Sequence, residues 1–421
     1  MFDKIFNVGC CSLLLLVATM PAVMNAGNLD CRVKDTHGWW WTSPQSPELQ
    51  LVVKGKDGKP AKGNIILKVL TDKKEPVYEF SQKVAVADGD SVELSFGFRV
   101  DPGFYRCQFI ADGDSLNEFN IGYEPENIVS LPDSKPDFDE FWSRAKSELV
   151  AVAPDYKMTL DREKTTSDGR VYVVSMKSLG GEVIQGYLTL PAKKGKYPVI
   201  VHYMGYGSKP WYSHPYKNME FVEFVLSTRG QGLCEPTNKF GDWITYGLDD
   251  RDKYYYRGAF MDLVRAIDFV TQLEQVDSRY VFAEGGSQGG AFTLAACALD
   301  DRITAAAPSI PFLSDYPDYF KIVHWPAEPV FAQQRKLGLS DEALYELLSY
   351  FDIKNHARNI KCPVLMGIGL QDPVCPPHTN FAGFNLIDFQ KEFVVYTHSK
   401  HDTGHPDWES RQRKFFKSFI R

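Results

Sequence analysis

The chain has 421 residues, of which 44% are hydrophobic and 24% are charged, and its formal net charge is −7. The length is sufficient for two or three domains, and the composition is typical of a globular protein. The negative net charge argues against nucleic acid and against an anionic membrane surface as partners.

The first 26 residues are predicted to be a secretory signal. Lys4 provides a positive charge, residues 13–20 form a short apolar segment, and Asn25-Ala26 supplies the cleavage region. A membrane anchor is the alternative, but the apolar segment is short and no basic cluster follows it. We therefore expect an exported protein, periplasmic or extracellular, with no membrane attachment after cleavage.

Residues 27–125 are predicted to form a small immunoglobulin-like β-sandwich. Short strand patterns alternate there with turns rich in Gly and Asp. Tyr105 lies two residues before Cys107, which is the tyrosine-corner spacing of such sandwiches. Cys31 and Cys107 are the candidate disulfide, because an exported protein can form one. Trp39-Trp40-Trp41 could stack on sugar rings, but packing of this domain against the next is the favoured interpretation.

Residues 130–421 are predicted to form an α/β domain. Residues 126–136 contain two prolines and indicate a linker, after which a helix should begin with Asp137 as N-cap and Glu140 as its capping-box partner. From about residue 170, short apolar runs alternate with helical patterns, which predicts a mostly parallel sheet with helices on both faces. The aromatic segment 311–357 interrupts this alternation and is a candidate lid or substrate-pocket insertion.

Residues 280–291 carry the strongest chemical signal in the chain. A strand pattern runs into Gly285-Gly-Ser-Gln-Gly289, and a helix of small residues follows. Gly-x-Ser-x-Gly between a strand and a helix is the nucleophile elbow of the α/β-hydrolase fold. Its two outer glycines remove side chains that would collide in the strained turn. A structural glycine-rich turn is the alternative, but the setting favours Ser287 as a nucleophile.

A serine nucleophile needs a base and an acidic group that orients the base. In the α/β-hydrolase order, the acid and then the histidine follow the serine. Asp372 follows the predicted strand 363–370 and is the candidate acid, with a plain turn residue as the alternative. After the last predicted strand, 393–396, the pattern alone leaves three candidate bases: His398, His401 and His405.

An oxyanion hole is expected from two backbone N–H groups. One should belong to Gln288, the residue after the nucleophile, and the other to the loop Tyr203-Met-Gly-Tyr-Gly207. An ordinary glycine-containing turn is the alternative interpretation of that loop.

Over roughly residues 130–421 the chain resembles the acetyl xylan esterase/cephalosporin-C deacetylase family of α/β-hydrolase carbohydrate esterases. Arg-Gly-Gln-Gly, Gly-Ser-Gln-Gly-Gly and Cys-Pro-Pro in this order are a specific combination. The motifs that carry the resemblance are Asp137-Phe-Asp-Glu-Phe-Trp142, Tyr203-Met-Gly-Tyr206, Arg229-Gly-Gln-Gly232, Tyr254-Tyr-Tyr-Arg257, Gly286-Ser-Gln-Gly-Gly290, Pro311-Phe-Leu313, Tyr350-Phe-Asp352 and Gly369-Leu-x-Asp372-x-x-Cys-Pro-Pro377.

The resemblance implies roles for four residues: Ser287 as nucleophile, Asp372 as the acid, and the backbone N–H groups of Tyr206 and Gln288 as oxyanion donors. It also selects one histidine. Family members have a tyrosine five residues before the catalytic histidine and a Gln-x-Lys-Phe run that begins eleven residues after it.

In this chain Tyr396 and Gln412-Arg-Lys-Phe415 therefore point to His401. The chain departs from the family pattern at Ser227, where an aspartate is usual, and at His378, where a serine is usual. The β domain is an addition to the usual single domain. The resemblance implies a homo-oligomer, and these departures bear against the acyl-pocket details and the hexameric assembly of the family.

The sequence therefore predicts an exported serine esterase that hydrolyses acetyl esters on plant-polysaccharide fragments, first of all acetylated xylo-oligosaccharides, through an acetyl-Ser287 intermediate. No metal or organic cofactor is expected. The alternatives are a prolyl-oligopeptidase-like serine peptidase and a carbohydrate-binding protein with an inactive hydrolase domain. Because every triad candidate lies after residue 280, the β domain is predicted to be dispensable for the chemistry.

Overall fold

The structure is a computed structural model that describes residues 24–404 and 406–421. Most of the predicted secretory signal and the candidate base His405 therefore lie outside the described residues. Within those residues, no helix combines the length and the apolar character that crossing a bilayer requires.

The N-terminal β part of the chain consists of two sheets around one apolar core. The strand orders are β1-β2-β4-β7 and β3-β9-β8-β5-β6. Val53 on β4 and Phe109 on β8, which belong to different sheets, are both fully buried in this core. The strands are β1 Met24–Ala26, β2 Leu29–Val33, β3 Trp40–Trp41, β4 Glu48–Gly55, β5 Ala61–Thr71, β6 Pro76–Val86, β7 Ser91–Gly97, β8 Gly103–Ala111 and β9 Asp114–Tyr123.

The α/β part, which follows, is built on one nine-stranded sheet in the order β10-β11-β12-β14-β13-β15-β16-β17-β18. Strands β13 to β18 are parallel, and the leading strands β10, β11 and β12 are antiparallel. The strands are β10 Lys157–Asp161, β11 Gly169–Lys177, β12 Val183–Pro191, β13 Tyr197–Tyr203, β14 Val222–Ser227, β15 Val276–Gly286, β16 Ala305–Ser309, β17 Val364–Gly369 and β18 Lys391–Tyr396.

Helices cover both faces of this sheet, because its short central strands are apolar on both sides. The face toward α2 and α3 carries the larger apolar cluster, and α9 packs on the other face through Trp408 and Phe416. The helices are α1 Phe138–Val150, α2 Tyr255–Thr271, α3 Gln288–Leu299, α4 Tyr316–Ile322, α5 Ala327–Leu337, α6 Asp341–Ser349, α7 Ile353–His356, α8 Pro377–Phe384 and α9 Asp407–Lys417.

Two expectations about local structure are wrong. Asp137 occupies the N-cap position of α1, but its side chain does not cap the helix. Its carboxylate instead pairs with Arg251 at 2.9 Å and accepts a hydrogen bond from the Tyr350 hydroxyl, so tertiary partners outcompete the cap. The candidate disulfide is also absent, because Cys31 and Cys107 are both free, buried thiols.

The tryptophan cluster packs the two parts of the chain together, as the sequence predicted. The ring centroid of Trp40 lies 5.7 Å from those of Phe381 and Phe393 in the α/β part, and Trp39 lies 5.0 Å from the ring of His398. Trp41 is 1% exposed within the core of the β part. The ends of β17 and β18, where the candidate acid and base lie, are therefore close to the β part.

Candidate active site

Ser287 stands on a strained turn between β15 and α3. Its φ is 59° and its ψ is −121°, a conformation that costs energy in any residue with a side chain. A Cβ on Gly289 would lie 2.1 Å from the carbonyl oxygen of Tyr203, and a Cβ on Gly285 would lie 2.5 Å from the same atom. The two glycines therefore let the end of β13 approach the turn. This is the geometry that the Gly-x-Ser-x-Gly pattern predicted.

Three of the predicted side chains form one hydrogen-bonded chain. The Ser287 hydroxyl lies 3.1 Å from Nε2 of His401, and Nδ1 of His401 lies 2.8 Å from a carboxylate oxygen of Asp372. The carboxylate at Nδ1 favours the tautomer with its proton there, which leaves Nε2 free to accept from the serine. The arrangement is that of a nucleophile, a base and an orienting acid.

The Asp372 carboxylate is held by its own loop as well as by the histidine. Its second oxygen accepts hydrogen bonds from the backbone N–H groups of Val374 at 2.8 Å and Cys375 at 2.9 Å. The side chain is fully buried, whereas that of His401 is 32% exposed. A buried, fully hydrogen-bonded carboxylate keeps a fixed orientation, and the partly exposed imidazole can exchange protons with a substrate.

His398 faces away from the serine. Its Nε2 lies 2.8 Å from Asp35, and its ring contacts Trp39, so its partners belong to the β part. Among the described histidines that follow β18, His401 is the one bonded to Ser287.

The two predicted oxyanion donors lie on the elements that meet at the elbow. Gln288 is the first residue of α3, so its N–H has no acceptor within the helix and lies at the positive end of the helix dipole. Tyr206 follows β13, and its hydroxyl donates to Asp242 at 2.7 Å while its ring contacts Trp325. Burial and the nearby carboxylate raise the pKa of Tyr206, which keeps this anchor protonated.

Gln231 is a site residue that the sequence reasoning did not single out. Its Oε1 accepts from the backbone N–H of Gly207 and from the side chain of Gln288, both at 3.1 Å. One buried amide therefore ties the loop of Tyr206 to the start of α3. Its place in the Arg229-Gly-Gln-Gly232 motif is the sequence feature that could have identified it as a site residue.

The same motif is anchored by a buried ion pair. Arg229 binds Asp262 through Nε at 3.0 Å and through a terminal nitrogen at 2.6 Å, and Gly258 leaves room for the guanidinium. Ser227, the departure from the family pattern, accepts from the backbone N–H of Leu233 at 3.1 Å. Thus the turn after β14 is held without an aspartate at that position.

Ser287 opens into a polar cavity of about 510 Å³. An exposed indole, Trp211, borders it, and His202 lies at its base between the carboxylates of Glu223 and Glu284. Burial alone would lower the pKa of His202, but the two carboxylates outweigh this effect and raise it to about 9. The exposed indole beside a nucleophile offers a flat surface to a ring-shaped substrate.

The aromatic insertion borders the site on another side. Phe312 donates its backbone N–H to the Ser287 carbonyl at 3.1 Å, and its ring stacks on Trp325 at 5.5 Å. Trp325 also contacts Tyr206 of the oxyanion loop. The segment that interrupts the strand–helix alternation therefore supplies an apolar wall next to the nucleophile.

Two groups of described side chains have the spacing of metal ligands, Asp372/Cys375/His401 and Asp315/Asp318/His378. In the first, the carboxylate and the imidazole already bind each other and Ser287. In the second, His378 binds Asp72 of the β part at 2.6 Å, and Lys354 binds Asp315 at 3.0 Å. Both groups are thus engaged in hydrogen bonds or ion pairs, and the prediction that no metal is needed stays a prediction.

Comparison with known proteins gives a consistent result. The family model described as acetyl xylan esterase (AXE1) matches residues 123–419. The acetyl esterase Axe7A of Xylanibacter ruminicola is 32% identical over 337 residues, which cover 77% of this chain and 76% of that relative.

Two solved structures are also similar to this chain. The acetyl xylan esterase from Paenibacillus sp. R4 has a TM-score of 0.65 and 30% identity, and covers 70% of this chain and 98% of its own. Acetyl xylan esterase 1 from Thermoanaerobacterium sp. JW/SL YS485 has a TM-score of 0.63 and 27% identity. The match covers 70% of this chain and 97% of that protein. The predicted α/β architecture is confirmed, whereas the immunoglobulin-like type of the β part stays a prediction.

Proposed function

The chain belongs to the acetyl xylan esterase family of carboxylic ester hydrolases, and from this premise we propose that it is an exported serine esterase that removes acetyl groups from xylan fragments. The hydrogen-bonded chain from Ser287 through His401 to Asp372, set on a strained elbow, is the observation that carries the proposal. Acetylated xylo-oligosaccharides are the proposed substrate.

In the proposed reaction, Oγ of Ser287 attacks the acetyl carbonyl carbon while Nε2 of His401 takes the hydroxyl proton. The tetrahedral intermediate collapses, the bond to the sugar oxygen breaks, and His401 passes the proton to that oxygen. Water then attacks the acetyl-serine with His401 as base, which releases acetate and restores the serine hydroxyl. Asp372 holds the tautomer and stabilises the imidazolium.

The negative charge that develops on the carbonyl oxygen needs donors that are already in place. The N–H groups of Gln288 and Tyr206 are the proposed donors, and the start of α3 adds its dipole. The tether through Gln231 supports this assignment, because it fixes the two loops relative to each other.

The polar cavity beside Ser287 is the proposed site for the sugar. Its volume of about 510 Å³ is within the range of small-molecule sites. Trp211, which is 41% exposed, offers an indole surface to a pyranose ring. The apolar wall of Phe312 and Trp325 is the proposed side for the acetyl methyl group.

The proposed organisation is a signal over residues 1–26, an immunoglobulin-like β-sandwich over 27–125 and the esterase domain over 130–421. The family match from residue 123 onward supports the boundary. The Tyr105 hydroxyl donates to the carbonyl of Asp101 at 2.7 Å, the bond that defines a tyrosine corner. Export and a homo-oligomer remain proposals that rest on the N-terminal pattern and on the resemblance.

The decisive experiment measures acetate release from acetylated xylo-oligosaccharides by the wild type, Ser287→Ala and Ser147→Ala. Ser147 is an exposed serine on α1 and serves as the matched control. Ser287→Ala should lose about 10⁴–10⁶ in turnover, and Ser147→Ala should match the wild type. Near-normal turnover by folded Ser287→Ala would remove the proposal.

The same preparation separates the alternatives. Cleavage of a peptide p-nitroanilide without acetate release would indicate the peptidase. Binding of xylo-oligosaccharides by a folded protein that releases no acetate from any acetyl ester would indicate a carbohydrate-binding protein with an inactive hydrolase domain.

A further inference from the structure

Gln371, the residue immediately before Asp372, binds the β part of the chain. Its Oε1 accepts from the backbone N–H of Asn120 at 2.7 Å, and its Nε2 donates to the backbone carbonyl of Asn120 at 3.0 Å. The side chain of Asn120 donates to the carbonyl of Leu370 at 3.1 Å. The acid loop and strand β9 are therefore joined by three hydrogen bonds.

The edge of β9 explains why these bonds form. On one side β9 pairs with β8, and on the other it pairs with the two-residue strand β3 at Gly122 and Tyr123. Because β3 is so short, no strand on that side reaches the backbone N–H and carbonyl groups of Asn120. The amide of Gln371 supplies both a donor and an acceptor, as a neighbouring strand would.

The same amide also reaches the loop that carries the base. Nε2 of Gln371 donates to the carbonyl of Thr397 at 3.0 Å, and the backbone N–H of Gln371 donates to the carbonyl of Ser399 at 2.9 Å. These acceptors lie four and two residues before His401. Gln371 is therefore the point where the acid loop, the base loop and β9 meet.

The base loop has its own contacts with the β part. The Thr397 hydroxyl donates to the carbonyl of Gly38 at 3.1 Å, and His398 binds Asp35. The departure from the family pattern at position 378 lies at this interface too, because His378 binds Asp72. Thus both loops that hold the acid and the base are attached to a part of the chain that the family match does not include.

We propose that Gln371 is a positioning residue, through which the N-terminal β part holds the Asp372 carboxylate at hydrogen-bond distance from His401. The inference rests on the proposed esterase function. It reverses the expectation that the β part is dispensable for the chemistry. That expectation considered only where the triad residues lie in the sequence, whereas the contacts at Asn120 join positions that are 251 residues apart.

The test compares four full-length variants. Gln371→Met keeps the length and apolar stem of the side chain but removes its three hydrogen bonds. Asn120→Ala removes only the side-chain bond to Leu370, and the double variant measures whether the two act together. Lys73→Met is the control, because it breaks a different contact between the two parts, the 2.5 Å ion pair with Asp318, without touching either loop.

Two readouts distinguish positioning from simple attachment. The first is kcat and KM on p-nitrophenyl acetate, where the concentration of active sites is determined by titration with a fluorophosphonate. The second is the low-field proton resonance of the His401 Nδ1–H, assigned by its loss in His401→Ala, which reports the bond to Asp372 without any turnover.

Gln371→Met should lower kcat about 10–100-fold with KM nearly unchanged, and should shift or broaden the low-field resonance. Asn120→Ala should lose less, and the double variant should lose less than the product of the single effects. Lys73→Met should keep kcat and the resonance of the wild type.

Unchanged kcat per site and an unchanged resonance in folded Gln371→Met would overturn the proposal, as would an equal loss in Lys73→Met. If Gln371→Met does not fold, Gln371→Asn decides, because it keeps an amide that is one methylene too short to reach Asn120 and Thr397 together: a lower kcat with a changed resonance supports the proposal, and wild-type values overturn it. A wild type without esterase activity would defeat the proposed function, while the resonance would still test the positioning.

Discussion

The side-chain amides of Gln231 and Gln288 are hydrogen-bonded at 3.1 Å at the site, one from the turn after β14 and the other from the first turn of α3. Gln231 is 3% exposed and Gln288 is 1% exposed. Oε1 of Gln231 also holds Gly207, next to Tyr206. A bond between two buried amides thus sets the separation of the two proposed oxyanion donors.

Gln231→Leu should lower kcat by about 10–100-fold, because both donors lose their common tether while the N–H groups themselves remain. The variant also leaves the buried side-chain amide of Gln288 without its acceptor, which should lower stability by about 1–3 kcal/mol. Turnover of p-nitrophenyl acetate and thermal unfolding measure the two effects. Gln82→Leu, the same replacement at an exposed position on β6, is the control. Wild-type kcat in folded Gln231→Leu would show that the tether is not needed.

The choice of base is tested by replacing each candidate histidine with alanine. His401→Ala should lose several orders of magnitude in kcat/KM on an acetyl ester, as expected when the base of a triad is missing. His398→Ala should lose about tenfold or less, because its partner is Asp35 of the β part. His405→Ala should also lose about tenfold or less. A large loss that belongs to His405→Ala instead would make His405 the base.

Trp211→Ala tests the sugar site. The variant should raise KM for an acetylated xylo-oligosaccharide by about tenfold, since loss of an indole surface corresponds to roughly 1.4 kcal/mol. On ethyl acetate, whose alcohol group has no ring to stack on the indole, kcat/KM should stay within about twofold. Phe389→Ala, at an exposed aromatic residue outside the cavity lining, is the control. Equal effects on both substrates would indicate that the sugar does not bind against Trp211.

The buried His202 predicts how stability depends on pH. Its folded pKa of about 9 lies above the unfolded value of about 6.5, so its contribution is fully present below pH 6.5 and is lost as pH rises through 9. The difference between the two pKa values corresponds to about 3 kcal/mol. Solvent screening does not reduce this figure much, because the side chain is only 7% exposed.

His202→Gln should therefore unfold more easily than the wild type at pH 6, and the difference should shrink toward pH 9. Burial lowers the pKa of His378 too, but the neighbouring carboxylates outweigh this effect and raise it to about 9. Because both proteins contain His378, the difference between them reports His202 alone. Chemical denaturation at several pH values measures it, with His214→Gln at an exposed position as the control. A gap that is constant from pH 6 to pH 9 would contradict the prediction.

Several features could be predicted from the sequence because short-range sterics and periodicity decide them. Ser287 sits on its strained turn because Gly285 and Gly289 leave space there, and that pattern is visible within five residues. The buried face of α1 follows from helical spacing, since its members are Phe138, Phe141, Trp142, Ala145 and Leu149. The order of serine, acid and histidine follows from where short apolar strands end.

Other features were decided by the tertiary structure, because they depend on which distant segments are brought together. Asp137 pairs with Arg251 rather than capping its helix, and the choice between His398 and His401 required the direction of each side chain. The bond between Gln371 and Asn120 joins a variable motif position to the edge of a strand from another part of the chain. No local pattern encodes such a contact, since its donor and acceptor become neighbours only when the two sheets of the β part and the sheet of the α/β part have packed.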